Sequence, residues 1–352
     1  METKKKFLIF RFSSIGDIVL TSPVVRAIKL QIEDAEVHYC TKIQFRTLVE
    51  YNPYIDQCFY LENDLNALIR QLQAEQYDYI IDLHNNLRTR IVKLRLGVKA
   101  YSFNKLNFEK WLLVNFKINR MPDVHIVDRY LDTLKKFGVK KDNFGLEYFI
   151  PHKDIVEWEW FPETHRKGFV AYAIGGQHPT KKLPVLRMIE LCRKINQPIV
   201  LLGGKEDAAA AYQIEASFAG NPVRSTARGK SLPGSKTVIY NACGKYNLNQ
   251  SASILKQSSV VFSHDTGLMH IAAAFRKTIY SIWGNTTPLF GMYPYQTRFV
   301  VLENNQLSCR PCSKIGFDRC PKGHFKCMND IVFDFNLTLL SSDPKKGPFK
   351  PL

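Results

Sequence analysis

Residues 258–275, SSVVFSHDTGLMHIAAAF, gather the groups best suited to hold an anion. A short apolar run at Val260, Val261 and Phe262 enters a polar turn, and a helical pattern follows through Ile271, Ala272, Ala273 and Ala274. Asp265 and Thr266 can cap that helix, Gly267 lets backbone approach a ligand, and His270 lies about one turn further in. A buried strand feeding a capped helix start aims free N–H groups and the helix dipole at one point, which is where open α/β sheets bind phosphate. The same spacing also suits an ordinary strand-to-helix turn carrying a structural histidine.

Two further groups could do chemistry. Cys309, Cys312, Cys320 and Cys327 follow the spacing C-x2-C-x7-C-x6-C, which could hold a tetrahedral zinc, although the second pair is wider than ribbon knuckles use. Simple packing of a loop is the competing account, and a metal here would be structural. Between 84 and 120, Arg88, Arg90, Lys93, Arg95, Lys99, Lys105, Lys110, Lys117 and Arg120 accumulate with almost no acid, interleaved with Tyr101, Phe103, Phe108 and Trp111. Over the whole chain of 352 residues, 49 Lys and Arg stand against 32 Asp and Glu, a net charge of +17. That balance favours an acidic partner: a phosphorylated substrate, an anionic membrane surface or nucleic acid.

The elements that must position these groups read as two repeats of one pattern. Strands are expected at 7–12, 36–40, 56–60 and 77–83, with a helix from the Ser13–Asp17 turn to about Gln31 and another at about 125–137 that ends at Gly138. Residues 151–167 carry two prolines and no periodicity, and serve as a linker. The pattern restarts with strands at 169–174, 199–202, 237–243, 260–264 and 278–283, several of them ending in glycine. Strands alternating with helices imply parallel, doubly wound sheets, and glycines at strand ends imply a ligand crevice. The expected division is 1–155, 168–335 and a tail at 336–352. The apolar start FLIF is cut short by Arg11 and Asp17, so it is not expected to act as an export leader, and no apolar stretch approaches the ~20 residues that cross a bilayer.

With these pieces in view the chain resembles glycosyltransferase family 9, the lipopolysaccharide heptosyltransferases. The resemblance is carried by FLIFRFSSIGDIVLTSPVVRAIK at 7–29, GGQHPTKKLP at 175–184, LLGGKED at 201–207, NACGKYNLNQSASILKQSSVVFSHDTGLMHIAAAF at 241–275 and CPKGHFKCM at 320–328. D-T-G-x-x-H-x-A-A and S-S-x-G-D are its specific motifs; residues 177–179 depart from the pattern. The fold so implied is α/β of the GT-B type, two Rossmann-like doubly wound domains facing a central cleft, with the donor held mainly by the second.

The resemblance assigns roles. Asp17, in a Ser/Gly turn after the first strand, matches the family's general base, with capping of the next helix as its alternative. Lys181, favoured over Lys182, matches the lysine that holds the departing diphosphate. Backbone N–H groups of Thr266, Gly267 and Leu268 would hold phosphate, Asp265 sugar hydroxyls, and His270 would lie near the leaving phosphate. Glu206 would take the nucleotide ribose, or else be an exposed helix-start residue. Ser14, Gly16, Arg88 and Arg90 fall to the acceptor. The implied reaction is an inverting transfer of heptose from ADP-heptose to an anionic lipid A–core acceptor at the inner face of the cytoplasmic membrane. No cofactor and no metal are expected, because no Asp-x-Asp motif is present. The alternatives are a family member that moves another sugar, an NAD-dependent oxidoreductase, which lacks G-x-G-x-x-G in the first turn, and a nucleic-acid-binding protein, for which no binding module is seen.

Overall fold

The computed structural model describes residues 4–219 and 236–337. Two parallel sheets form, with inner strands apolar enough to be covered on both faces. The first holds β1 (Lys5–Phe10), β2 (Ala35–Lys42), β3 (Gln57–Leu61), β4 (Tyr79–Asp82) and β5 (Lys99–Ser102) in the order β3-β2-β1-β4-β5. The second holds β6 (Val170–Ala173), β7 (Ile199–Leu202), β8 (Ile239–Asn241), β9 (Val260–His264), β10 (Thr278–Trp283) and β11 (Phe299–Glu303) in the order β11-β10-β9-β6-β7-β8. In the first sheet Phe7 pairs with both Val37 and Tyr79. In the second, Val261 pairs with both Ala171 and Ile279.

Strand order reverses once in each sheet, between β1 and β4 and between β6 and β9. Crossovers leave in opposite directions there, so a crevice opens beyond the carboxyl ends of those strands. The helices of the first half are α1 (Ile15–Val19), α2 (Ser22–Gln31), α3 (Leu65–Ala74), α4 (Leu87–Leu96), α5 (Asn107–Phe116) and α6 (Ile126–Leu131). Those of the second are α7 (Glu163–Arg166), α8 (Val185–Ile195), α9 (Ala208–Ala216), α10 (Leu248–Gln257), α11 (Gly267–Ala274) and α12 (Lys326–Asn329).

Several expectations are corrected. The helix after Asp17 is two helices, because the Thr21 and Ser22 hydroxyls bond back to the carbonyls of Ile18 and Val19, and Pro23 then starts a new helix with its fixed φ. The helix at 125–137 tightens to a 3₁₀ turn from Asp132 to Phe137, although Gly138 does end it in the left-handed region at φ 71°. The expected linker is packed: Phe161 is buried and stacks on Phe169 with ring centres 5.0 Å apart, while Trp158 meets both rings. Ile331 and Phe333, which the sequence left unread, are buried against the second sheet, where Phe335 meets Phe262 and Tyr280. Residues 338–352 of the expected tail lie outside the described residues.

One apolar cluster runs through the seam between the halves, joining Tyr130, Tyr148 and Val156 to Ile254, Met269, Trp283 and Tyr295. Polar bonds follow it: Ile126 N–H donates to Gly291 O at 2.8 Å, Arg129 to Phe290 O at 3.0 Å and Tyr295 Oη to Asp128 at 2.8 Å. The two sheets are therefore held with their crevices facing.

Candidate active site

At the exit of β1 a charged residue follows four buried apolar ones. Arg11 is buried and donates to Ser13 O at 2.7 Å, to Leu83 O beyond β4 at 2.5 Å and to Tyr130 Oη at 3.1 Å. Its remaining nitrogen pairs with Asp17 Oδ1 at 2.6 Å. The other carboxylate oxygen accepts from Ser14 N and Ser14 Oγ, at 3.2 and 2.8 Å. Burial raises the Asp17 pKa, but Arg11 and the two Ser14 bonds outweigh it, so the group sits below the ordinary carboxylate range and is ionised at neutral pH. With its side chain 18% exposed, it still meets the crevice. Asp17 therefore does brace the first turn of α1, and it remains a reachable carboxylate.

The second crevice is built by a histidine the sequence reading passed over. His264 is fully buried at the end of β9; its Nε2 accepts from Leu183 N at 3.1 Å, which leaves Nδ1–H to donate to Ile174 O at 3.1 Å. Burial pushes its pKa down to about 4, so it is neutral and fixes the 175–183 loop onto the sheet. That loop brings Lys181 Nζ within 2.7 Å of Asp265 Oδ2, which also accepts from Thr286 Oγ1 at 3.0 Å. Lys182 turns elsewhere and pairs with the buried Asp207 at 3.0 Å. The two adjacent lysines are thus separated, and Lys181 is the one at the mouth of α11.

The capping expectation needs correction. Thr266 occupies the N-cap position of α11 but its side chain makes no cap bond, and its buried Oγ1 has no partner among the described residues. Asp265 is committed to Lys181 and Thr286. The room at Gly267 also has another use. A Cβ there would stand 2.5 Å from Ile15 Cγ2, and a Cβ on Gly16 would stand 2.6 Å from His270 Cδ2. The starts of α1 and α11 therefore meet through two glycines, and Gly267 serves this approach between halves. His270 lies buried at that contact, its Nδ1 without a partner among the described residues; burial pushes its pKa to about 4 against the opposing pull of Asp265 and Asp17. It faces both carboxylates as a neutral imidazole. Leu268 follows in the first turn of α11, half-buried.

Other sequence-chosen residues stand further out. Glu206 is exposed, with its carboxylate folded over Gly204, whose place a Cβ would contest. Arg88 and Arg90 are exposed on α4, without ion pairs among the described residues. Lys105 and Lys110, rather than these two, lie within electrostatic reach of Asp17. Lys110 is pushed down to about 8 by burial and by Arg129, within electrostatic reach of Asp17; Lys105 is lowered by burial and Arg11, and Arg129 by burial. None of the three has a carboxylate at ion-pair distance among the described residues. His84, after β4, joins them, its buried Nδ1 without a partner among the described residues; burial, Arg11 and Lys105 push it to about 4. All four lie in or beside the basic stretch, and only burial distinguishes Lys105 and Lys110 from their neighbours.

The cysteines Cys309, Cys312, Cys320 and Cys327 are free thiols, with Cys312 Sγ bonded to Cys309 O at 3.0 Å and Cys309 Sγ 3.8 Å from His324 Nε2. Among the described residues, the group of three whose ligand atoms fall within 4.8 Å of one another is Glu36, His38 and Glu75, not the cysteines. Lys6 already pairs with both of its carboxylates, 3.1 Å from Glu75 and 3.6 Å from Glu36.

Two Rossmann-like domains meeting at the carboxyl ends of their central strands give the chain a GT-B fold. The model of glycosyltransferase family 9 (heptosyltransferase) matches residues 65–319. The chain belongs to that family and is a glycosyltransferase. It is 22% identical to lipopolysaccharide heptosyltransferase 1 of Campylobacter coli over 307 residues, 80% of this chain and 84% of that protein. Among solved structures it is similar to the family 9 glycosyltransferase of Veillonella parvula, with TM-score 0.67, 22% identity and coverage of 86% of this chain and 87% of that one. It is likewise similar to the E. coli heptosyltransferase WaaC with ADP, with TM-score 0.62, 19% identity and coverage of 86% and 95%. No helix among the described residues is long and apolar enough to cross a membrane.

Proposed function

We propose that this enzyme transfers heptose from ADP-heptose to the inner core of a lipopolysaccharide precursor by a single inverting displacement that needs no metal. In this reading residues 1–155 form the acceptor half and 168–335 the donor half, with the membrane's inner leaflet as the acceptor's source. The observation that carries it is the pairing of two differently held carboxylates across one glycine contact: Asp17 on the acceptor half, Asp265 clamped to Lys181 on the other.

The chemistry follows from those positions. The acceptor oxygen attacks the anomeric carbon from the side opposite the diphosphate; the carbon–oxygen bond to phosphate breaks and ADP leaves with the bonding pair. Asp17 takes the hydroxyl proton as the new bond forms; its lowered pKa keeps it ready as a carboxylate and defers proton transfer until the oxygen becomes acidic. Lys181 and the first N–H groups of α11, at Thr266, Gly267 and Leu268, meet the charge on the departing diphosphate, the work a divalent cation does elsewhere. Lys181 can serve because its partner Asp265 has a second bond to Thr286 and can turn to sugar hydroxyls. Neutral His270 offers one N–H to the same region. Glu206 is free to accept from the ribose. Ser14, Gly16 and the cations Lys105, Lys110, Arg88 and Arg90 flank the acceptor.

The similarity to a solved heptosyltransferase with ADP supports the adenine nucleotide. A direct test incubates the enzyme with ADP-, UDP- and GDP-linked heptose and a heptose-free acceptor, with and without EDTA, and reads the anomeric configuration of the product. Transfer from the ADP sugar, indifferent to EDTA and inverted at the anomeric carbon, is the expected result. Preference for another nucleotide, or retention, would contradict the reading.

A further inference from the structure

We infer that α5 seats the enzyme on an anionic lipid leaflet and thereby delivers a lipid-anchored acceptor to Asp17. This deepens the proposed function and rests on its reading of the acceptor as a membrane-borne glycan.

The helix has two unlike faces. Outward, Phe108, Trp111 and Phe116 are 61, 45 and 58% exposed. The three rings form one group on the surface: Phe108 stacks on Trp111 with centres 6.2 Å apart, and Phe116 meets Trp111 edge-on at 5.1 Å. Three contiguous exposed aromatics on an enzyme surface mark a binding patch. Ile118 beyond the helix end and Ile315 on the neighbouring loop, both exposed, widen it. That loop is tied to α5 by Lys314 Nζ donating to Asn107 O and Lys117 Nζ to Pro311 O. Inward, Leu113 is buried, and Lys110 lies over the Phe290 ring at 6.0 Å, within electrostatic reach of Asp17. One helix thus carries aromatic anchors on one side and a cation of the active site on the other.

Charge selects the occupant. Beside the rings stand the exposed cations Lys117, Arg120 and Lys314, against the single acid Glu109 within residues 104–121, in a chain of net charge +17. Rings of this type settle at the headgroup level of a bilayer, and flanking cations near an anionic leaflet strengthen the attachment. A protein partner of this patch would need an acidic rim, whereas a phosphatidylglycerol-containing leaflet supplies it as a continuous surface.

The test compares the full-length wild type with Phe108→Ser/Trp111→Ser/Phe116→Ser in co-sedimentation with phosphatidylglycerol–phosphatidylethanolamine vesicles and with phosphatidylcholine vesicles, and in transfer to a vesicle-embedded and a delipidated, water-soluble acceptor. Wild type should pellet with anionic vesicles and not with phosphatidylcholine. The triple variant should lose at least tenfold in that binding and in transfer to the embedded acceptor, and keep transfer to the soluble one. Arg120→Glu, at an exposed position, should weaken vesicle binding without any change in melting temperature, which keeps the inference open to refutation should the triple variant misfold. Undiminished vesicle binding by both variants would overturn it, as would equal losses on both acceptors, which would make α5 a wall of the sugar site. If the transfer reading itself fails, neither acceptor reacts, and vesicle binding still decides the role of α5.

Discussion

Gly16 and Gly267 meet across the two halves of the molecule: a Cβ on Gly16 would stand 3.4 Å from Gly267 Cα and 2.6 Å from His270 Cδ2. In the proposed reaction this contact sets the spacing between the carboxylate of one half and the diphosphate held by the other. Gly16→Ala must push α1 and α11 apart or turn His270. A misplacement of about 1 Å at a reacting centre costs on the order of 10²-fold, so kcat should fall by roughly that factor. The melting temperature should move much less, since overpacking costs only about 1–3 kcal/mol. Parallel kcat and thermal-melt measurements check this; unchanged kcat would mean the contact is incidental to transfer.

The adjacent lysines should separate by kind of damage. Lys181→Ala removes the cation beside Asp265 and should lower kcat by roughly 10²-fold, the effect of one preorganised electrostatic contact. Lys182→Ala strands the buried Asp207 carboxylate and should lower the melting temperature, with a smaller change in kcat. Kinetics and melts of the pair, done side by side, distinguish these; equal kinetic effects would show that the loop has been misassigned.

Lys110, held at about 8, is charged below that pH and neutral above it. If it holds an anionic group of the acceptor, the acceptor KM should rise as pH passes about 8 while the donor KM stays flat, and Lys110→Met should abolish the rise. His84, His264 and His270, all pushed to about 4, are neutral across the working range, so no histidine limb should appear between pH 5 and 7. Initial rates across the pH range, with each substrate varied in turn, test both statements.

Arg88→Glu/Arg90→Glu reverses charge at two exposed positions of α4 and should raise the acceptor KM alone. A change confined to the donor KM would assign the halves the other way round.

Much of this was legible in the sequence. Apolar runs alternating with helices give the inner strands of both sheets, because strands covered on two faces must be apolar throughout, and the strand-end glycines locate the crevices; the edge strands β5, which carries no such run, and β11 are only partly covered and were missed. Asp17, Lys181 and Asp265 were found through motif resemblance, and the fold places Lys181 against Asp265. Arg11 was visible as a charge ending an apolar run, but its meaning depends on Leu83 O and Tyr130 Oη, 72 and 119 residues away in the chain. Long-range partners of that kind have no local signature. The break between α1 and α2 was written in Thr21-Ser22-Pro23 and overlooked beneath continuous apolar spacing. The role of Gly267 could not be read at all, since the atom that needs its missing Cβ belongs to Ile15 of the other half.

Asp17→Asn is the measurement that bears most directly on the central claim. The amide keeps one oxygen, which can accept from Arg11 or from Ser14 but not from both, while Arg11 retains its bonds to Ser13 O, Leu83 O and Tyr130 Oη, so the fold should survive the loss of the ion pair at a cost of about 3 kcal/mol. It cannot take the acceptor's proton. With kcat and ADP affinity measured on one preparation well below its melting temperature, kcat should fall by roughly 10²–10⁴-fold, the contribution of general-base catalysis, while ADP affinity stays near wild type. A near wild-type kcat would remove Asp17 as the base.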